Sequence, residues 1–202
     1  MNYTLYESLF NKIDSMLEKG RVILTIEGGS ASGKSTLANI LKDKYDCTVI
    51  HMDDFFLRPE QRTIERYEEI GGNIDKERFF EEVVKPLRSN LDFSYQKFDC
   101  STMSLGEKVY VKLNRLIVVE GVYSMHPYFD KYFNLSLFLD ITQEYQKERI
   151  LNRNSVTFAN RFFEEWIPLE NKYFSVEKIE ERCDMTVKVG KQKIVYNYKD
   201  KK

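Results

Sequence analysis

Gly28-Gly29-Ser30-Ala31-Ser32-Gly33-Lys34-Ser35-Thr36 decides the fold, because it meets the phosphate-cradling pattern G-x-x-x-x-G-K-[ST] at every fixed position. Its flanks supply the setting that the pattern needs. Val22-Ile23-Leu24-Thr25-Ile26 reads as a short buried strand, and Leu37, Ile40 and Leu41 begin a helical stripe behind the loop. Glycines at 28, 29 and 33 admit backbone angles that a side chain resists, so successive N–H groups can turn inward around phosphate oxygens. The helix opening near Gly33 adds its positive end. Lys34 is expected to reach the β- and γ-phosphates, Ser35 to ligate Mg2+ through its hydroxyl, and Thr36 to support the α-phosphate side.

The 202 residues are 42% hydrophobic and 14% aromatic, enough for one packed domain spanning 1–202. The 31 basic and 32 acidic residues nearly cancel, and only the terminal Lys199-Asp200-Lys201-Lys202 gathers one sign, so a general grip on nucleic acid is not indicated. Cys47, Cys100 and Cys183 lack any paired spacing for zinc or a disulfide framework and are expected to be reduced. No apolar run approaches a membrane span, and Glu7 and Asp14 occupy the place where a secretory leader is basic. These features point to a cytoplasmic protein with a small-molecule partner, no nucleic acid and no membrane; a homo-oligomer is compatible with them.

Leu5, Leu9, Ile13, Met16 and Leu17 recur at helical spacing, which predicts an amphipathic helix over 3–18 ended by Gly20. Cys47 to Met52 reads as a second strand running into the turn Asp53-Asp54, and Asp75 as the cap of a helix carrying Phe79, Phe80, Val83, Val84 and Leu87. Residues 92–112 alternate like a β-hairpin that could stand off the main sheet. Leu116 to Val119 and Leu135 to Leu139 are continuous apolar strands of the doubly buried parallel type. Residues 143–182 read as mostly helical, and 186–196 supply one or two closing strands. The alternation predicts a three-layer α/β fold of the P-loop NTPase type: a mainly parallel five-stranded sheet, helices on both faces, a protruding hairpin and a helical lid at 142–164.

In open parallel sheets the ligand crevice lies beyond the carboxyl ends of the strands. Asp53 and Asp54, Glu120 and Asp140 fall at such ends. Asp53 is the candidate for accepting a proton from an attacking hydroxyl, with Phe55-Phe56 as a wall; a helix cap or plain turn suits Asp53 or Asp54 equally. Glu120 stands where P-loop proteins place an acid that holds Mg2+ through water, or is a plain strand-end carboxylate before Gly121. Arg149 and Arg153 share a helix face, with Arg161 beyond a break at Asn154-Ser155. They suit a lid that neutralises developing charge, or a solvated face partnered by Glu148. His51 and His126 have no matching ligand partners and read as strand and turn residues. Trp166 reads as a packing anchor.

Together these motifs resemble the uridine kinase branch of the P-loop small-molecule kinases, a group that includes phosphoribulokinase-like and bacterial pantothenate kinase-like enzymes. The resemblance covers roughly residues 21–175. The loop, Met52-Asp53-Asp54-Phe55-Phe56, Gly72-Asn73-Ile74-Asp75, Val118-Val119-Glu120-Gly121 and Glu148 to Asn154 carry it. It implies transfer of the γ-phosphoryl group of ATP to a hydroxyl, with Mg2+, Asp53 as base, Asp75 on ribose hydroxyls and the lid arginines, Arg161 included, over the reactants. One segment departs. The family's hairpin carries Tyr-Asp and then a histidine, whose rings contact the pyrimidine, whereas this chain reads Phe98-Asp99-Cys100-Ser101-Thr102-Met103. Phe98 can stack but has no hydroxyl, and Met103 cannot make a histidine's hydrogen bond.

Uridine or cytidine is the first acceptor expected, with Asp75, Phe98 and Met103 around it. A pantothenate-, glycerate- or sugar-phosphate-like acceptor is the alternative, and a non-kinase ATP-binding switch or assembly chaperone is the reading from another class. A GTPase is disfavoured because Asn171-Lys172-Tyr173-Phe174 has phenylalanine where guanine recognition needs aspartate. A protein kinase is disfavoured by the lack of a Gly-x-Gly-x-x-Gly loop and a His-Arg-Asp segment.

Overall fold

The computed structural model describes residues 6–190 and the backbone of 195–198. In chain order the elements are α1 (Glu7–Leu17), β1 (Val22–Gly28), α2 (Lys34–Tyr45), β2 (Thr48–His51), α3 (Ile64–Glu68), α4 (76–89), β3 (Phe93–Asp99), β4 (Ser104–Val111), β5 (Leu116–Glu120), β6 (Leu135–Ile141), α5 (Gln143–Arg153), α6 (156–176), α7 (Ile179–Arg182), β7 (Met185–Val189) and β8 (Val195–Tyr198). The part of the first predicted helix at residues 3–5, including Leu5, and the Lys-rich tail lie outside the described residues.

Strands β2, β5, β1, β6 and β7 form a parallel sheet in that order, and β8 joins its edge antiparallel to β7. The five-stranded parallel sheet is therefore as expected, with a sixth strand added. Apolar residues along β5 alternate between two cores. Leu116 and Val118 pack with α1 and α2 through Leu9, Ile13, Leu37 and Leu41, while Ile117 and Val119 pack with Phe55, Phe79, Tyr123 and Tyr173 on the other face. Such two-sided burial is why this strand reads as an unbroken apolar run.

Helix α4 starts where Asp75 Oδ1 accepts from the Arg78 N–H at 3.1 Å. Both long helices carry a π-helical turn, Phe80–Val84 in α4 and Phe162–Trp166 in α6. Each turn lies just before a proline, Pro86 or Pro168, whose missing N–H interrupts the regular ladder. Strands β3 and β4 make the separate hairpin, with a bulge between Gln96 and Phe98. Its root is nevertheless anchored in the main core, for Tyr95 is 2% exposed and its ring lies 5.1 Å from that of Phe55.

Phe55 departs from expectation. It is fully buried against Phe79 and Tyr95 rather than walling the crevice, because Met52 and Phe55, three residues apart in a 3-10 turn, share the face turned to the core. The lid breaks at Asn154-Ser155 and has a small core of its own, in which Ile150, Ala159 and Phe162 pack on Ala31 of the glycine loop. Trp166 belongs to this packing, edge-on to Phe162 at 4.5 Å. Cys47, Cys100 and Cys183 are free thiols. Among the described residues no helix is long and apolar enough to cross a membrane.

Candidate active site

The chain order reverses at β1, which lies between β5 and β6, and the glycine loop leaves from its carboxyl end. That is the topological switch point at which open α/β sheets bind ligands. Positive backbone φ falls on Gly28 (138°), Ala31 (62°) and Gly33 (103°). Gly29 has no such angle; a Cβ there would meet the end of the Gln146 side chain, Nε2 at 2.9 Å, and displace the amide that donates to the Ser30 carbonyl. Gly28 is doubly constrained, because a Cβ would also come within 2.5 Å of the Leu139 carbonyl oxygen.

Lys34 is 9% exposed, and its ammonium donates to the carbonyls of Gly28 (2.7 Å) and Gly29 (3.0 Å), holding its charge over the loop. Ser35 and Thr36 are exposed at the opening of α2. Ser35 Oγ donates to Glu120 Oε1 at 2.9 Å. The same oxygen lies 2.6 Å from Nδ1 of His51. Sheet register produces this cluster: His51 ends β2 directly beside Glu120 of β5, and Glu120 sits beside Ile26 of β1. The Glu120 hydrogen bond raises the His51 pKa against the effect of burial. Burial opposes ionisation of Glu120, but the His51 hydrogen bond and the Lys34 charge outweigh it and hold its carboxyl below the usual range. His51, read from the sequence as a strand residue without a partner, is thus a member of the cluster.

Asp53 lies one residue beyond Met52 in the 3-10 turn and is accessible to solvent. The protein around its recess raises its carboxyl pKa by desolvation; Lys34 and His51 pull the other way, and Glu120 and Asp54 add to the rise. Asp54 accepts a 2.7 Å hydrogen bond from Tyr95 Oη of the hairpin. Asp140 is inside β6 in register with Lys188, on the opposite side of β1 from Glu120.

Ser30 is clamped by the lid. Its N–H and Oγ donate to Glu170 at 2.8 and 2.5 Å, and its carbonyl accepts from Gln146 Nε2 at 2.9 Å. Burial raises the Glu170 pKa, while Lys34 and the two Ser30 hydrogen bonds restrain the rise. Neither Glu170 nor Gln146 was singled out from sequence; they lie on helices that read only as polar and mixed. Glu27, directly before Gly28, is fully buried. Its Oε1 accepts from the Met125 N–H (2.8 Å) and Tyr173 Oη (2.9 Å), Oε2 has no hydrogen-bond partner among the described residues, and burial pushes its pKa up to about 7.

Of the lid arginines, Arg149 reaches the loop: a Cβ at Gly33 would lie 3.5 Å from its Nη1. Arg153 lies over the Phe162 ring, and Arg161 is paired with Glu165 at 3.1 Å and covers Trp166, so the latter two are on the lid's own surface. Asp75 is 1% exposed and tied to the Asp53 turn by its N–H, which donates to the Phe55 carbonyl at 2.8 Å. Phe98 is 5% exposed, with the Arg62 guanidinium 5.7 Å from its ring centre. Met103 is 36% exposed in the hairpin turn, at φ 54°. Asp53, Lys34, Ser35, Glu120 and Arg149 are therefore gathered at the loop, Asp75 stands beside them, and Met103 and Arg161 are elsewhere on the hairpin and the lid.

A parallel sheet whose reversal point carries this loop, flanked by a hairpin and a helical lid, is the α/β fold of the P-loop kinases. Solved structures share it, two of them as follows. A possible uridine kinase from Bacillus stearothermophilus aligns over 89% of this chain and 98% of its own, with a TM-score of 0.63 and 24% identity. A candidate fructose transport system kinase from Silicibacter sp. TM1040 aligns over 84% and 93%, with a TM-score of 0.61 and 20% identity. No protein-family model matches the sequence, and no curated protein matches it.

Proposed function

We propose that the chain is a uridine kinase-like P-loop phosphotransferase that moves the γ-phosphoryl group of ATP to a hydroxyl of a small metabolite. The observation that carries this reading is the accessible Asp53 carboxylate in the electrostatic reach of Lys34 and Glu120, at the mouth of a loop with the backbone of a phosphate nest. The donor set suits the nucleotide. Among the described residues the hydrogen-bond partners of Lys34 are the Gly28 and Gly29 carbonyl oxygens, and a triphosphate would offer it better acceptors. Ser35 and Glu120 would hold Mg2+, which when bound neutralises charge on the phosphates.

Lys34 and Arg149 stabilise the negative oxygens of the moving group. Asp53 orients the acceptor hydroxyl and takes its proton. The acceptor oxygen forms its bond to the γ-phosphorus as the bond to the bridging oxygen breaks, and ADP leaves with that electron pair. Asp53→Asn should reduce turnover by at least about a thousandfold while ATP affinity, measured by calorimetry, stays within about threefold. Turnover at the wild-type rate in that variant would remove Asp53 from the reaction. A nucleoside acceptor draws support from Asp75 and Phe98, but the covering of the Phe98 ring by Arg62 weighs against stacking there.

A further inference from the structure

Beside Asp75, between α4, the hairpin and residues 58–66, lies an open cavity of about 560 Å3. Its basic lining is Arg58, Arg66 and Arg78, and each already faces a carboxylate. Arg58 lies 3.2 Å from Glu60, Arg66 makes a two-pronged pair with Glu77 at 2.8 and 2.7 Å, and Arg78 lies 3.3 Å from Glu82. Glu60 stands outside the lining; the four carboxylates that line the cavity against its three guanidinium groups are Asp75, Glu77, Glu82 and Glu81, the last also paired with Lys85 at 2.6 Å. Among the described residues its only apolar lining is Leu105, and no aromatic ring contributes. The two rings nearby are buried, Phe55 fully and Phe98 to 5% exposure, and a guanidinium lies against each, Arg78 at 4.2 Å and Arg62 at 5.7 Å.

Two buried groups in this lining have no hydrogen-bond partner among the described residues: Asp75 Oδ2, an acceptor, and Arg78 Nε–H, a donor, 3.6 Å apart, with Arg58 Nε also 3.6 Å from the same oxygen. Buried polar atoms left in this way are costly, and one hydroxyl satisfies both by accepting from Nε and donating to Oδ2. The same arginine donates to the Asp54 carbonyl at 2.7 Å, so the pair is fixed relative to the turn that carries Asp53.

From this lining we infer that the acceptor is an uncharged, polyhydroxylated, non-aromatic compound, an unphosphorylated sugar or polyol, and that the Arg78–Asp75 pair selects it. The inference rests on the phosphotransferase reading. Mixed donors and acceptors suit hydroxyl groups, each of which is both. The carboxylates of the lining leave no surplus of positive charge for a phosphate or carboxylate, and the lining holds no aromatic ring to serve as a platform for a base. One acceptor hydroxyl loses its proton to Asp53 and gains the phosphoryl group; another is held by the pair.

The test is an acceptor screen of the purified full-length chain with ATP and Mg2+. ADP release is followed, and the phosphorylated product is identified by mass spectrometry. Neutral sugars and alditols, pyrimidine and purine nucleosides, pantothenate and glycerate, and sugar phosphates form separate arms. The expected result is acceptor-dependent product in the neutral arm alone, and in Asp75→Asn a loss of about tenfold to a hundredfold in kcat/KM for that acceptor with an unchanged KM for ATP. Asparagine keeps the helix cap, so this variant retains the fold. Product only with nucleosides or with an anionic acceptor overturns the inference and leaves the kinase reading standing. ATP binding with no product in any arm overturns both. Should Asp75→Asn leave the acceptor KM unchanged, the pair is not the selecting element.

Discussion

Glu27 shows how much one residue can hold. It interrupts an apolar strand, is sealed from water, and is fixed by the Met125 N–H and the Tyr173 hydroxyl, so β1, the segment after β5 and helix α6 meet on one carboxyl. Its folded-state pKa of about 7 stands above the ordinary 4.5. The folded protein therefore binds this proton more tightly than the unfolded chain. The sign follows: the contribution is favourable at low pH and declines as pH rises from the unfolded value to the folded one. Glu27→Gln keeps the acceptor oxygen and removes the titration. Between about pH 5 and about pH 8 the wild type should lose about 2–3 kcal/mol relative to this variant in urea unfolding. Parallel pH profiles would show that Glu27 does not carry the raised pKa. Nothing in the sequence signals this, because a glutamate beside a glycine loop reads as accessible until the strand is known to be covered on both faces. Lys34, by contrast, is legible from the loop pattern alone, and Asp53 shows in sequence as a strand-end carboxylate.

Among the elements, the lid and the glycine loop are mechanically one unit. Every backbone and hydroxyl polar group of Ser30 is satisfied by α5 or α6, and Ala31 packs in the lid's small core. Glu170→Ala leaves the Ser30 N–H and hydroxyl without their acceptor inside the fold. The expected result is ATP binding weakened by about tenfold, with a smaller loss in Glu170→Gln, which retains one acceptor. Calorimetric titration of both variants measures this, and an unchanged dissociation constant in the alanine variant would contradict it. The loop and the lid helices were each readable, the first from its pattern and the second from helical spacing. Their connection was not, since Ser30 and Glu170 are separated by 140 residues. The hairpin gives a similar lesson: its alternation shows in sequence, but its anchoring by Tyr95 on Asp54 depends on how it docks.

For the whole molecule, two cores back to back across the sheet hold the site. Phe79 is fully buried; its ring meets Phe55 at 5.0 Å and Phe129 at 4.8 Å, linking α4, the Asp53 turn and the segment after β5. Phe79→Ala should cost about 3–5 kcal/mol, read from the urea midpoint and slope, and a loss below about 1 kcal/mol would mean that the core closes over the gap. By itself the sequence determined the loop chemistry, the two-sided apolar strands, the helix capped at Asp75 and the break in the lid. Each is a short-range pattern in which the backbone conformation and the pattern of burial are encoded by adjacent residues. Only tertiary structure decided that His51 meets Glu120, that the lid grips Ser30, that Phe55 turns inward and that the cavity arginines are matched by carboxylates. Those contacts depend on strand order, register and helix docking, which are set by the joint burial of surfaces far apart along the chain.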